Sequence, residues 1–268
     1  MAHSIRWLAF VSIALLLGCA APAGEPMSAP RDLAPTGRLR VGVVVAKAPT
    51  ATLVTLDSRR ELEGVPVDLG KALAARAGLP LEFKTARNTG ELADQLEASE
   101  IDVAFLPIDE KRRARLGVGP EYFVLESTYL VRPGAGIGSL ADIDRPGMRV
   151  AAIRNTATLR ALRRMLKEAK IAVVATADDA ASLVRTGKAD AMAMGRPSLD
   201  SIAANIQGST VLKESFQRTG TAIAIPKGRP LALQYVTRFM EDAKASGEVD
   251  RALERVGIRS SGSSPSRQ

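Results

Sequence analysis

The sequence predicts an α/β protein of two lobes, with mostly parallel sheets flanked by helices. Three observations carry that prediction. Short apolar runs alternate with amphipathic helical stretches in a β-α-β-α-β series, the pattern in which crossover helices join parallel strands. The series then begins a second time near Arg149. The chain has 268 residues, 46% hydrophobic and 25% charged, which suits two lobes of roughly 100–150 residues each. That balance excludes a wholly disordered, collagen-like or multi-span membrane chain.

Each element has a local reason. Val41 to Ala46 is a β-branched run suited to a strand buried on both faces. Asp68 to Ala77 places Leu69, Ala72, Leu73 and Arg76 on one helical face, with Gly78 where a C-cap glycine belongs. Leu81 to Thr85 returns as a strand. Asn88, three before Glu91, opens a helix over Gly90 to Ala98, with Leu92 and Leu96 inward. Ile101 to Leu106 is another buried strand.

Glu126 to Val131 is extended. The second series reads Arg149 to Ile153 strand, Thr156 to Ala169 helix, Ile171 to Ala175 strand, Asp178 to Thr186 helix and Ala189 to Met194 strand. The two units share a plan without a close sequence repeat. Thr221 to Ile225 is a further strand. Pro230 to Ser246 is a helix with Pro in its first turn and Gly247 at its end, and Val249 to Val256 is the last helix.

The ends differ in kind. Arg6 precedes an apolar run from Trp7 to Leu17, too short to span a bilayer and right for an export signal. Leu16-Leu17-Gly18-Cys19 resembles the bacterial lipobox, in which cleavage falls before a Cys whose thiol carries lipid. Cleavage after Ala21-Pro22-Ala23 is the competing reading. The lipobox is favoured because the one Cys of the chain stands where a lipobox needs it. Residues from Ala20 to about Pro35 are rich in Ala, Pro, Gly and Ser and read as a flexible tether. Ser260 to Pro265 reads as a disordered tail.

The scarce residues narrow the chemistry. The one His, one Trp and one Cys are His3, Trp7 and Cys19, all in the segment read as signal and anchor. The processed chain then has no catalytic triad His, no His-ligated metal and no internal disulfide. No metal or other cofactor is expected. The charge of +8, from 37 Lys+Arg against 29 Asp+Glu, is spread over helix faces such as Arg160, Arg163 and Arg164. No nucleic-acid motif accompanies it, so nucleic acid is not an expected partner. Two α/β units with a cleft between them place a ligand at the carboxyl ends of the strands.

At this point the residues resemble a known family. Leu39-Arg40-Val41-Gly42-Val43, Gly64 to Leu69, and Ile101-Asp102-Val103-Ala104 are similar to the first lobe of type 2 periplasmic solute-binding proteins. More narrowly they resemble family 3, the polar amino-acid group that serves ABC importers. Asp109 to Arg112, then Gly119-Pro120-Glu121-Tyr122-Phe123, is similar to the family stretch T-x-x-R…F-S-x-P-Y-Y. Gly187 to Ala191 resembles its G-x-x-D-A strand entry, and Gly220 to Pro226 its return strand. The resemblance covers about residues 36–258.

It implies the type II periplasmic binding protein fold. Residues 1–18 are signal, 19–35 tether, 36–128 the first part of lobe 1, 129–221 lobe 2, 222–258 the return to lobe 1, and 259–268 tail. Hinges are expected near Tyr129 and Thr221. The expected protein is a monomer, exported to the periplasm, held on the membrane only through lipid on Cys19. It would capture a small organic anion or amino-acid-like ligand and present it to an ABC permease.

The resemblance also implies site residues. Arg112 corresponds to the family Arg that grips the ligand carboxylate, which its guanidinium can bind bidentately. The alternative is a surface Arg paired with Asp109, and an exposed helix start is expected there. Asp109 reads as a helix N-cap. Asn155-Thr156-Ala157 corresponds to the family's anion-binding helix start, with N–H groups and the Thr156 hydroxyl as donors. Thr156 capping its own helix is the other reading, and both can hold.

Departures from the pattern are informative. Lys47 and Thr50 stand where ligand-sandwiching aromatics are usual. Pro107 replaces a hydroxyl residue and removes a backbone donor. Gly195 stands where the carboxylate for an α-ammonium is expected, with Arg196 after it. Met192 and Met194 read as strand core. A small carboxylate without a free α-ammonium is therefore the expected ligand, with Asp200 as a possible substitute partner for an amine. Two other functions compete. One is a cyclohexadienyl dehydratase-like enzyme on the same fold, for which no cleft carboxylate except Asp109 is visible. The other is an orphan ligand-sensing lipoprotein.

Overall fold

Two α/β units are built by the same local logic, and two long strands join them into one nine-stranded sheet. The structure, a computed structural model, describes residues 28–258. The readings for the export signal, Cys19 and the tail fall outside these residues. In chain order the elements begin α1 (Ser28–Leu33), β1 (Leu39–Val44), β2 (Thr55–Leu56), β3 (Leu62–Glu63), α2 (Val65–Ala77), β4 (Leu81–Ala86) and α3 (Thr89–Glu97). They continue with β5 (Val103–Pro107), α4 (Glu110–Arg115), β6 (Leu116–Val131), a 3₁₀ turn (Leu140–Asp142), β7 (Arg149–Ile153) and α5 (Ala157–Met165). Then come β8 (Lys170–Val174), α6 (Ala177–Arg185), β9 (Ala191–Gly195) and α7 (Arg196–Ala203). β10 (Thr210–Val211), β11 (Gln217–Pro226), α8 (Pro230–Ala245) and α9 (Glu248–Arg255) complete the order.

The sheet order is β4-β1-β5-β11-β6-β9-β7-β8. β1 pairs parallel with β4 and β5, and β7 pairs parallel with β8 and β9. These are the two expected α/β units. Between them β6 and β11 run antiparallel, β11 reaching β5 on one side while β6 reaches β9 on the other. The extended stretch expected from Glu126 is thus only the end of a strand of 16 residues. Its register with β11 shifts at Thr221/Ala222. Apolar clusters cover both faces of each unit: Leu39, Phe105 and Val236 on one face of lobe 1, Leu92 and Leu106 on the other. In lobe 2 the corresponding clusters hold Tyr129 and Leu162, and Met192 and Val184.

Each lobe is pinned at the amino ends of its strands. Arg40 donates to the buried Asp102 through its backbone N–H (3.0 Å), Nε (3.0 Å) and Nη2 (2.8 Å). Arg149 does the same to Asp190, at 3.0, 3.0 and 2.9 Å. A second arginine joins each pair, Arg229 on Asp102 and Arg132 on Asp190. A bidentate fork of this kind fixes the strand spacing as well as neutralising the carboxylate.

Some boundaries need correction. The tether reading extends to residue 35, yet α1 lies inside it. Ala29, Leu33 and Ala34 are buried against the cluster that includes Ala232 and Val236. Asp32 also accepts from the Ala232 N–H at 2.8 Å, capping α8 from 200 positions away. Composition alone cannot show a cap so remote. The helix expected over Thr156 to Ala169 stops at Met165. The Asp144 carboxylate accepts the N–H groups of Lys167, Glu168 and Ala169 and turns the chain toward β8. α2 starts at Val65, with Pro66 in its first turn and Gly64 at φ 139°, in the region only glycine enters freely.

Candidate functional site

The strand ends aim one set of helix starts at one place. β4, β5, β7 and β9 end near Arg87, Pro107, Ile153 and Gly195, all of which line a cavity of about 310 Å³. The first residues of α3, α5 and α6, Thr89, Ala157 and Ala177, line it too. The first N–H groups of a helix lack intrahelical acceptors and carry the positive end of its dipole. The cavity therefore receives such ends from both lobes.

Caps fix these helix starts. Asn88 Oδ1 accepts from Gly90 and Glu91 N–H at 2.9 and 3.0 Å. Its Nδ2 reaches across to the Ala175 carbonyl at 2.9 Å. Thr156 Oγ1 accepts from the Leu159 N–H at 3.1 Å and donates to the Ile153 carbonyl at 2.8 Å. Its hydroxyl is thus occupied by its own turn, and Ala157 and Thr158 after it line the cavity. Thr176 caps α6 through the Asp179 N–H at 3.1 Å.

Of the residues singled out from sequence, Lys47, Thr156, Ala157 and Gly195 line the cavity. Asn155 lies just behind it at φ 59°, and its carbonyl accepts from Arg160 at 2.9 Å and Arg112 at 3.4 Å. Arg112 is not on an exposed helix start. It is 2% exposed, because α3 and the end of β5 fold over it. Its Nη1 donates to the Pro107 carbonyl at 2.6 Å and Nη2 to the Thr89 carbonyl at 2.7 Å. Its Nε is buried without a partner. Burial, then the nearby Arg160 charge, pushes Arg112 down to about 10, so it stays cationic at neutral pH.

Arg196 brings no charge to the cavity. Its guanidinium donates to the Leu212 and Lys213 carbonyls at 2.9 and 2.7 Å, on the far side of α7. Asp200 is exposed and does not line the cavity either. Gly195 lines it, with the Leu125 side chain close over it.

Three features escaped sequence reasoning. Asp178, at the start of α6, meets Lys47 across the cavity mouth at 3.2 Å. Asp109 caps α4 through the Arg112 N–H at 3.0 Å, as its N-cap reading expects, but its ion pair with Arg160 of α5 has no counterpart in that reading. Burial acts to raise the Asp109 pKa, but hydrogen bonds from Arg160 and the Arg112 backbone outweigh it and hold the carboxyl below its usual range. Gly90 touches Asn155 so closely that a Cβ on it would lie 2.4 Å from the Asn155 Cβ. The Thr176…Asp179 capping pattern was a readable signal for the α6 start; contacts between lobes have no local signal.

A model of the bacterial extracellular solute-binding proteins, family 3, matches residues 39–257. The ABC transporter glutamine-binding protein GlnH of Bacillus subtilis (strain 168) is 22% identical over 203 residues, 74% of either chain. Among solved structures, an ancestral amino acid-binding protein described as a precursor of cyclohexadienyl dehydratase superposes with TM-score 0.72 at 26% identity. That match covers 84% of this chain and 97% of the other. A binding component of an ABC transporter from Wolinella succinogenes, complexed with lysine, gives 0.70 at 26%, covering 82% and 95%. The P235GK mutant of ArgBP from T. maritima shares the fold, with TM-score 0.74 at 21% identity over 85% of this chain and 99% of its own.

Proposed function

The chain belongs to the bacterial extracellular solute-binding proteins, family 3, and on that premise we propose that it captures a small carboxylate-containing solute without a free α-ammonium for an ABC permease. One observation supports this most. Helix starts from both lobes face the cavity, while Asp178 is the one carboxylate lining it among the described residues, and Lys47 holds it. An ammonium buried there lacks a free counter-charge, which costs several kcal/mol. A carboxylate finds the N–H groups of Ala157 and Thr158 and the positive end of α5.

Arg112 adds positive charge behind the cavity floor, and takes the carboxylate directly if its Nη2 exchanges the Thr89 carbonyl for the ligand. Asn155 positions it by accepting from it. Lys47 and Gly195 shape the mouth and the inner wall. Lobe 1 (36–128 and 222–258) and lobe 2 (129–221) close on the solute about hinges near Tyr129 and Thr221, where β6 and β11 join the two units. The protein works as a binder and not as a dehydratase, since Asp109 is engaged by Arg160 and does not line the cavity. It is a periplasmic monomer anchored by lipid on Cys19; Cys19→Ser shifts it from the membrane fraction, and retention there removes the anchor.

Calorimetric titration of standard amino acids against their deamino and N-acyl analogues tests the ligand class. The analogues bind the more tightly on this reading. Tight binding of an unmodified amino acid, with its analogue markedly weaker, returns the chain to ordinary amino-acid capture.

A further inference from the structure

A second property of the same cavity follows from what fills the space beside Gly195. A Cβ built there would lie 2.7 Å from Leu125 Cδ1 and 3.1 Å from its Cδ2 and Cγ. The Leu125 side chain thus occupies the volume in which a side chain at 195 would stand, and both residues line the cavity. Met194 and Ile202 extend this wall in lobe 2, and Val44 and Leu53 face the cavity from lobe 1. A solute held in this cavity would lie between two hydrocarbon surfaces.

Most charged and several polar groups around these surfaces are engaged. Lys47 and Asp178 pair at the mouth, where their side chains are 62% and 72% exposed, and Arg87 pairs with Glu91. Thr50 Oγ1 accepts from the Thr52 and Leu53 N–H groups at 3.2 and 3.1 Å. Thr156 serves its own helix turn. Ser198 and Ser201 of α7 also line the cavity. A polar ligand body would leave water for few replacement bonds beyond these two hydroxyls, whereas hydrocarbon gains by the same transfer.

We infer that the solute is a monocarboxylate with a branched or aromatic hydrocarbon body, and that Leu125 is the residue that sets this preference. The inference rests on the reading of the cavity as a carboxylate-solute site. Charge complementarity commits it to this occupant: helix starts at one end receive the carboxylate, and the walls carry no free charge for a second ionic or amide group.

The test titrates the purified protein with 4-methylpentanoate and with succinamate, in which a carboxamide replaces the isopropyl group at the same size. Acetate and butanoate complete the series. Affinity rises about fourfold for each methylene added, and 4-methylpentanoate binds at least about tenfold more tightly than succinamate. Leu125→Ser brings that ratio close to one, and Leu125→Met preserves it. Should the serine variant fail to fold, the wild-type pair of ligands decides alone. Equal or tighter binding of succinamate overturns the hydrocarbon inference and leaves the carboxylate reading standing. Absence of binding by every carboxylate of the series overturns both.

Discussion

At the amino ends of its strands each lobe carries an arginine–aspartate brace, and the two braces differ in depth. In lobe 1 the Asp102 carboxylate is fully buried, and its partners Arg40 and Arg229 are 17% and 14% exposed. In lobe 2 Asp190 is 8% exposed, with Arg132 and Arg149 at 31% and 39%. The opposite ends of the lobes also differ. Lobe 1 brings Val44, Leu53 and Leu125 to the cavity together with capped α3; lobe 2 brings the starts of α5 and α6 and Gly195, against which Leu125 packs. The same scaffold thus repeats where it only holds strands together, and diverges at the cavity. That division lets the cavity lining change without disturbing the pins.

Breaking the braces gives the largest expected effect. Asp102→Ala leaves two arginines buried without their partner and costs roughly 3–5 kcal/mol of stability. Asp190→Ala costs less, roughly 1–2 kcal/mol, because its partners reach solvent and are screened. Denaturant unfolding of both variants measures the difference. Equal losses would mean that burial does not distinguish the lobes.

Arg112 separates scaffold from site within lobe 1. Arg112→Ala leaves the Pro107 and Thr89 carbonyls unpaired, so it lowers stability by roughly 1–3 kcal/mol. It also weakens ligand binding by roughly 2–5 kcal/mol. Arg112→Lys restores charge without the fork and recovers little of the binding. Unchanged affinity in both variants removes Arg112 from the site.

Gly90 tests the meeting of the lobes. Gly90→Ala drives a methyl group into Asn155 across the lobes and also against Asn88 Oδ1, the cap of α3. It weakens binding by about tenfold, on the order of 1.4 kcal/mol, and lowers the stability of the ligand-free protein by a smaller amount. Acid gives the smallest effect. Asp109 has a depressed pKa beside Arg160, so its contribution to closure is complete above the ordinary aspartate pKa of about 3.9. It fades as pH falls through the lower value. Affinity measured between neutral pH and about pH 3 therefore drops at the acid end, and Arg160→Gln flattens that drop.

The fold was legible because its signals are local. Strand runs such as Val41 to Ala46, the Asn88 cap and the Gly78 and Gly247 punctuation each lie within a few residues of what they control. The cavity lining was legible only in part. Thr156, Ala157, Gly195 and Lys47 sit at strand ends and helix starts, which topology aims at the cleft. Arg196 stands beside Gly195 in sequence, but the first turn of α7 carries its side chain to Leu212 and Lys213. The Arg112 burial, the Asp109–Arg160 pair and the packing of Leu125 over Gly195 join residues 23 to 70 or so positions apart, and no local pattern encodes them. Asp32 on α8 and Asp144 on the end of α5 escaped for the same reason.

Capture by closure is the central claim, and small-angle X-ray scattering of the purified protein titrated with a bound carboxylate tests it most directly. The account predicts a radius of gyration that falls and saturates at one ligand per chain, with Gly90→Ala reaching saturation at a larger radius. A radius unchanged while calorimetry shows the same ligand bound at one per chain would contradict it.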